Sequence, residues 1–410
     1  MSNAAVTSYP KNQIKVLLLE NVHALAVDLF KGEGFQVEAL SGALKPAELM
    51  EKIKNVHVLG IRSKSQITAE IIQAAPHLLT IGCFCIGTNQ VDLDAAKKRG
   101  IPVYNAPFGN TRSVAEMVIG EIVMLSRCLG QRNIELHQKT WKKVSAGCFE
   151  VRGKSLGIIG YGHIGSQVST LAEAMGMKVG FYDILSKLPL GNARIHNTLD
   201  DLLRESDFVT LHVPETPQTK NMIAAPQLKI MKKGSYLINA SRGTVVDIQA
   251  LADSLKSQHL AGAAIDVYPV EPETNGEFST PLQNLSNVVL TPHIGGATEE
   301  AQANIGAEVP AYLIRFVNTG ATAGAVNFPH VDLAPSKQSH RILNAHQNVP
   351  GVLREINRII SDLGANIQAQ ALATDADLGY LVLDTDKEFS LEVKKAIESL
   401  KTSIKTRILY

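Results

Sequence analysis

The chain carries almost no excess charge, since 40 Lys and Arg stand against 39 Asp and Glu. A net charge of +1 leaves no global field to attract nucleic acid or an acidic lipid surface, and no partner of either kind is expected. Long apolar runs are missing too. The longest, Val118–Leu125, is interrupted by Glu121 and falls far short of the ~18 residues that a membrane span needs. The opening stretch MSNAAVTSYPKNQ has neither a hydrophobic core nor a cleavage site, so no secretion signal is read there. Cytoplasm is the expected compartment. Cysteine is scarce: Cys83, Cys85, Cys128 and Cys148 show neither zinc-site nor CxxC spacing. Buried free thiols and no metal are the expectation.

What is present is an ordinary globular composition, 45% hydrophobic and 19% charged, over 410 residues. That length implies two or three domains. Short, nearly continuous apolar segments alternate with helical patterns. Those at 14–19, 56–61, 79–83 and 101–104 read as strands of a parallel sheet covered on both faces. Ser113 followed by Glu116 reads as a capping box. It opens a helix reaching about Arg132 whose mostly apolar circumference predicts burial between domains or subunits.

The alternation then restarts, with strands at 156–160, 178–182, 207–213, 235–239, 261–266 and 287–290 and a helix at 166–175. A helix from about Glu299 to Asn318 returns to the first domain, which is therefore discontinuous. The stretch 328–336 has linker composition. Beyond it come strands at 339–346, 366–373, 379–385 and 404–409 and helices at 351–363 and 390–400, the order of a ferredoxin-like module. The expected domains are 1–108 with 298–332, then 109–297, then 337–410. The fold class is α/β, with two doubly wound parallel sheets and a small ferredoxin-like tail.

Gly160-Tyr-Gly162-His-Ile-Gly165 follows a strand and opens a helix, as a dinucleotide site requires. Gly160 permits the tight turn, Gly162 lets the backbone approach a pyrophosphate, and Gly165 allows close helix–strand packing. Asp183 ends the next strand, where a carboxylate accepts ribose hydroxyls and repels a 2′-phosphate, so NAD is the expected cofactor.

Three later loops, holding Arg242, Glu271 and His293, each follow a strand's carboxyl end. A histidine can exchange the proton that hydride transfer at a carbinol or ketone requires. A carboxylate orients the ring and holds its charge, and a guanidinium binds a 2-oxo-carboxylate bidentately. Arg62 and Lys64, after a strand of the first domain, could grip a phosphate.

GYGHIG, Asp183, HVPETPQT, NASRGTVVD, the Glu271 segment and TPHIGG occur in the order of the D-isomer-specific 2-hydroxyacid dehydrogenases. The segment IGCFCIGTNQVDLDAAKKRGIPVYNAP resembles the bacterial branch that oxidises D-3-phosphoglycerate and carries a C-terminal ACT domain. The likeness covers nearly the whole chain apart from its leader. It implies a Rossmann-type NAD domain inserted in a flavodoxin-like substrate domain, with 3-phosphoglycerate as substrate and the first step of L-serine synthesis as the reaction.

By the same resemblance His163, Ile164, His212, Ala240, Ser241, Asp266, Gly295 and Gly296 join the cofactor site. Trp141 and Lys143 match positions that relatives contribute from a neighbouring subunit, and a homotetramer is implied. In the tail, His346, Asn348 and Asn366 offer imidazole and amide groups for L-serine as an allosteric inhibitor, held between paired modules. Two other functions share these motifs: reduction of another 2-oxo acid such as 2-oxoglutarate, and a non-catalytic NAD-sensing corepressor.

Overall fold

The computed structural model describes residues 10–272, 275–334, 336 and 338–409. The first nine residues of the expected leader, and residues 337 and 410 at the ends of the expected tail module, lie outside the described residues. The chain forms two compact units: one gathers the residues up to Gly109 and those from Gln302 onward, the other is Asn110–Ala301. Among the described residues no helix is long and apolar enough to cross a membrane.

In the first unit five parallel strands stand in the order β2-β1-β3-β4-β5. They are β1 (Lys15–Leu18), β2 (Gln36–Ala39), β3 (Val58–Ile61), β4 (Thr80–Cys83) and β5 (Val103–Tyr104). Strands β3 and β4 are buried at every residue, as a sheet covered on both faces demands. Gly82 makes the closest packing possible, since a Cβ there would meet Val309 at 2.6 Å and Leu313 at 2.7 Å on the helix Glu299–Thr319. The order reverses between β1 and β3, which makes the crevice beyond their carboxyl ends the natural ligand position.

The tail belongs to this unit. Its strands β13 (His340–Gln347), β14 (Ile367–Thr374), β15 (Leu378–Thr385) and β16 (Ser403–Leu409) pair antiparallel in the order β14-β15-β13-β16. Alternate residues face opposite ways. Ile342, Leu381 and Leu383 pack under the helices Val352–Asp362 and Ser390–Glu398, while Leu343, Ala345, Tyr380 and Val382 share a core with Phe316 and Phe328. Of the stretch expected as a linker, residues 328–334 are irregular but held in place. Phe328 and Val331 are buried, and Arg341, paired with Asp384 at 2.7 Å, donates to the carbonyls of Leu333 and Ala334.

The second unit holds seven parallel strands in the order β12-β11-β10-β9-β6-β7-β8. They are β6 (Ser155–Ile159), β7 (Lys178–Tyr182), β8 (Arg194–Ile195), β9 (Phe208–Leu211), β10 (Tyr236–Asn239), β11 (Gly262–Ile265) and β12 (Val288–Leu290). Its reversal falls at β6, where the glycine-rich segment begins.

Four expectations are corrected. The helix expected to begin at a Ser113 cap runs instead over Thr111–Ser126 with Asn110 as its N-cap residue. Ser113 is thus one turn inside and bonds Thr298 at 2.7 Å, while Glu116 pairs with Arg112. That helix does not continue to Arg132: Cys128 takes a left-handed φ of 51°, and a separate helix covers Leu129–His137. Its apolar face, including Val114, Val118, Ile122 and Leu125, is covered by this unit's own sheet at Leu156, Ile158, Ile238 and Ala264. Finally, only Cys83 is buried; Cys85, Cys128 and Cys148 are partly exposed.

Candidate active site

The glycine-rich segment separates two kinds of need. Gly160 has φ +90°, and a Cβ there would lie 2.4 Å from the His212 carbonyl oxygen; at Gly165 it would lie 2.2 Å from the Gly160 carbonyl oxygen. These two are required by the chain itself. Around Gly162, by contrast, a Cβ would meet nothing within 4 Å. This open space lies at the start of the helix His163–Ala174, whose first turn has no side-chain cap. Unfilled space beside uncapped N–H groups suits a pyrophosphate. Asp183, one residue past β7, accepts from the backbone N–H groups of Tyr161 at 2.8 Å and Leu185 at 2.9 Å. Each carboxylate oxygen keeps a lone pair for a ribose hydroxyl. The residues therefore fit NAD.

Beyond β9, His212 bonds Thr210 at 3.0 Å, and burial pushes its pKa down to about 3, so the ring is neutral. Ala240 and Ser241 follow β10, and a residue outside the expected set builds their loop. Buried Asn239 accepts from the Ser241 N–H and hydroxyl and donates to the Arg242 carbonyl. Gly243 is equally necessary: a Cβ there would come within 1.9 Å of the Tyr268 carbonyl carbon. Arg242 is partly exposed and donates one N–H to the Ser241 carbonyl at 2.7 Å.

Asp266, one residue past β11 and 1% exposed, organises the turn after β12. Its carboxylate accepts from the Thr291 hydroxyl at 2.6 Å, the Ile294 N–H at 2.8 Å and the Gly295 N–H at 2.9 Å, and its carbonyl accepts from the His293 N–H at 2.7 Å. Gly296 closes against Asn110, where a Cβ would approach Nδ2 to 2.6 Å. Held in this way, His293 adopts a left-handed φ of 55°, and its ring emerges half exposed. Nδ1 sits 2.7 Å from Glu271 Oε2, and the other Glu271 oxygen accepts from the Tyr268 N–H at 3.0 Å.

The hydrogen bond that the ring donates to Glu271 lifts the His293 pKa above its usual value against the opposing effect of burial, with help from the charges of Glu271 and Asp266. For Glu271 burial works against ionisation, but the bonds from His293 and Tyr268 and the nearby positive charges of His293 and Arg242 hold its pKa below the usual value. Each partner thus favours the charged form of the other, with Nε2 left for a proton exchange. Under the turn lies a group that composition alone did not mark as functional. Glu121 is 3% exposed, and neither carboxylate oxygen has a hydrogen-bond partner. Burial, together with the Asp266 charge, raises its pKa to about 8.

In the first unit, Arg62 and Lys64 follow β3. A buried carboxylate, Glu20, accepts from the backbone N–H groups of Arg62 at 3.2 Å, Lys64 at 2.9 Å and Ser65 at 2.8 Å. Gln90 donates to the Arg62 carbonyl at 2.7 Å. Neither cationic side chain has an ion-pair partner among the described residues. Trp141 and Lys143 stand exposed in the second unit, Trp141 at 81%.

In the tail the expected effector residues separate. His346 is 3% exposed, its ring bonded to Asn344 at 2.9 Å. Asn348 donates to the Asp375 carbonyl at 2.6 Å. Strand register puts His346 level with Gly379 and Thr374, whereas Ile367, next to Asn366, is level with Thr385 and His340. In one copy Asn366 is therefore at the opposite end of the sheet, roughly 20 Å along the strands. Among the described residues no cluster of three or more His, Cys, Asp or Glu could hold a metal ion.

A doubly wound sheet, a dinucleotide turn and a carboxylate-held histidine define an NAD-dependent dehydrogenase. The model of the D-isomer specific 2-hydroxyacid dehydrogenase NAD-binding domain matches residues 119–295, and that of an acetohydroxyacid-synthase small-subunit-like ACT domain matches 342–405. The chain belongs to the D-isomer specific 2-hydroxyacid dehydrogenase family. It is 57% identical to a D-3-phosphoglycerate dehydrogenase of Dictyostelium discoideum, over 98% of this chain and 99% of that protein. To the D-3-phosphoglycerate dehydrogenase of Escherichia coli K12 it is 53% identical, over 99% of this chain and 100% of that protein. Among solved structures it resembles a D-lactate dehydrogenase from Aquifex aeolicus complexed with NAD and lactic acid (TM-score 0.67, 28% identity, 77% of this chain and 99% of that one). It also resembles a D-2-hydroxyisocaproate dehydrogenase (TM-score 0.69, 27% identity, 77% of this chain and 100% of that one).

Proposed function

We propose that this protein oxidises D-3-phosphoglycerate to 3-phosphohydroxypyruvate, the first step of L-serine biosynthesis, in the cytoplasm. The observation that carries the chemistry is the 2.7 Å His293–Glu271 pair, in a chain 57% identical to a D-3-phosphoglycerate dehydrogenase. His293 Nε2 takes the proton of the 2-hydroxyl during oxidation and returns it during reduction. Glu271 orients the ring and stabilises the imidazolium formed. Arg242 binds the carboxylate through its guanidinium fork. NAD, when bound, supplies the acceptor for the hydride of the carbinol carbon. Gly160, Gly162, His163, Ile164 and Gly165 form the turn for its pyrophosphate, Asp183 holds its ribose, and His212, Ala240, Ser241, Gly295 and Gly296 line the remainder. Arg62 and Lys64 grip the substrate phosphate, Arg62 as a fork and Lys64 as a point charge. Trp141 and Lys143 complete the site of a neighbouring copy in a homotetramer, a reading that the exposure of Trp141 supports.

L-Serine is the regulatory ligand of the tail. His346 and Asn348 stand at one end of the sheet and Asn366 at the other, so a site using all three draws on two copies. Strand β14, an edge, offers its free side for that pairing.

The test is NADH consumption with 3-phosphohydroxypyruvate, with and without serine. Rapid turnover suppressed by serine is expected. No turnover with that substrate, alongside turnover of 2-oxoglutarate, would replace the substrate assignment. Turnover indifferent to serine would remove the effector assignment. In the same assay His293→Asn lowers kcat by about 10²–10⁴, and an unchanged kcat would remove its role.

A further inference from the structure

Two of the four cysteines face each other across the break that ends the helix Thr111–Ser126. The Cys148 thiol lies 3.6 Å from the Arg127 carbonyl oxygen, and the Cys128 thiol lies 4.0 Å from the Gly147 carbonyl oxygen. Each sulfur therefore reaches the carbonyl just before the other cysteine. The two segments are also fastened together, because the Phe149 N–H donates to the Ser126 carbonyl at 2.8 Å. Both residues are partly exposed, so an oxidant can reach them. By contrast Cys83 is buried in the other unit.

We propose that Cys128 and Cys148 form a dithiol–disulfide site, oxidised by peroxide or by a small disulfide such as oxidised glutathione. With hydrogen peroxide, one thiol takes an oxygen to become a sulfenic acid and water leaves. The second thiol's sulfur then attacks, forming the S–S bond and releasing a second water. Two thiols and one peroxide thus yield one disulfide and two waters. With oxidised glutathione, a mixed disulfide forms first and two reduced glutathione molecules leave. The bond ties the ends of a segment that carries the helix Leu129–His137 together with Trp141 and Lys143. Burial and the neighbouring Cys148 raise the Cys128 pKa, which makes it a slow nucleophile near neutrality.

The experiment exposes the full chain to oxidised glutathione and then peroxide, blocks remaining thiols, and maps linked peptides by mass spectrometry without reduction. The expected result is a Cys128–Cys148 peptide that dithiothreitol dissolves, absent from Cys128→Ser and Cys148→Ser. The oxidised parent should also melt about 5 °C higher, from closing a loop of this length. Stable glutathione adducts on the two cysteines without a link would overturn the proposal, as would a bond between copies or one to Cys85. The melting shift must vanish in both variants. If it persists there, its cause is another residue and the proposal fails.

Discussion

Two loops of this molecule are built on one device and put to different uses. After β3 the backbone of Arg62, Lys64 and Ser65 is held by Glu20, which follows the adjacent strand β1. After β12 the backbone of Ile294 and Gly295 is held by Asp266, which follows the adjacent strand β11. Each buried carboxylate fills a concavity of N–H groups that could otherwise bind an external anion. The difference lies in what becomes of the side chains. His293 meets a second carboxylate, Glu271, which sets its charge, whereas Arg62 and Lys64 meet none among the described residues. The contrast fits the proposed roles, a proton-exchanging group being tuned and phosphate-gripping cations being left uncommitted.

Swapping each clamp for its amide breaks the comparison, because an amide nitrogen cannot accept a backbone N–H. Asp266→Asn, which displaces the His293 turn, should lower kcat by about 10². Steady-state kinetics check it; a change confined to KM would mean that the turn does not position the reacting histidine. Glu20→Gln should raise KM for 3-phosphohydroxypyruvate by about tenfold, the loss of hydrogen bonds to a charged group. Its KM for 2-oxoglutarate should stay unchanged, and equal effects on both substrates would show a role unrelated to phosphate.

Glu271→Gln sharpens the contrast through pH. The raised His293 pKa means that the protonated ring, and with it the reduction rate, persists above the ordinary histidine range and is lost as pH rises through the folded value. Without the carboxylate that inflection should move to lower pH. The contribution of the pair to stability needs both charges: it is lost as pH rises through the raised His293 value and lost again as pH falls through the lowered Glu271 value. An inflection that stays in place would assign it to another group.

The smallest effect concerns Glu121. Its carboxyl keeps a proton up to about 8 in the folded chain but releases it near 4.5 when unfolded. The folded state then binds the extra proton, so this group lowers stability as pH rises across that window. Glu121→Gln should therefore gain several degrees in Tm over the parent between about pH 5 and pH 9. A gap that does not change with pH would show that the carboxyl is not titrating.

Much of this was legible beforehand because it rests on local pattern. The strand–GxGxxG–helix order, Asp183, and a charged residue beyond each of three strands are sequence-local facts. What escaped depends on partners distant in the chain. Glu20 looks like the polar end of the run KVLLLE, and only folding brings it beneath residues 62–65. Gly243 is an ordinary loop residue until the Tyr268 backbone lies against it. The edge strands β2 and β8 are largely exposed and carry no continuous apolar signal. The break at Cys128 was hidden because helical periodicity runs through it, and a left-handed residue other than glycine leaves no compositional mark.

The emptiness around Gly162 has a consequence for any library built on this chain. Screened for solubility or proteolytic resistance alone, alanine at 162 should pass while alanine at 160 and 165 is rejected, since only those two collide with backbone. Screened for turnover, all three should be rejected. Subtracting one map from the other isolates the position that the ligand, and not the fold, keeps bare. The same alanine variant would serve calorimetry as a folded blank that no longer takes up its dinucleotide.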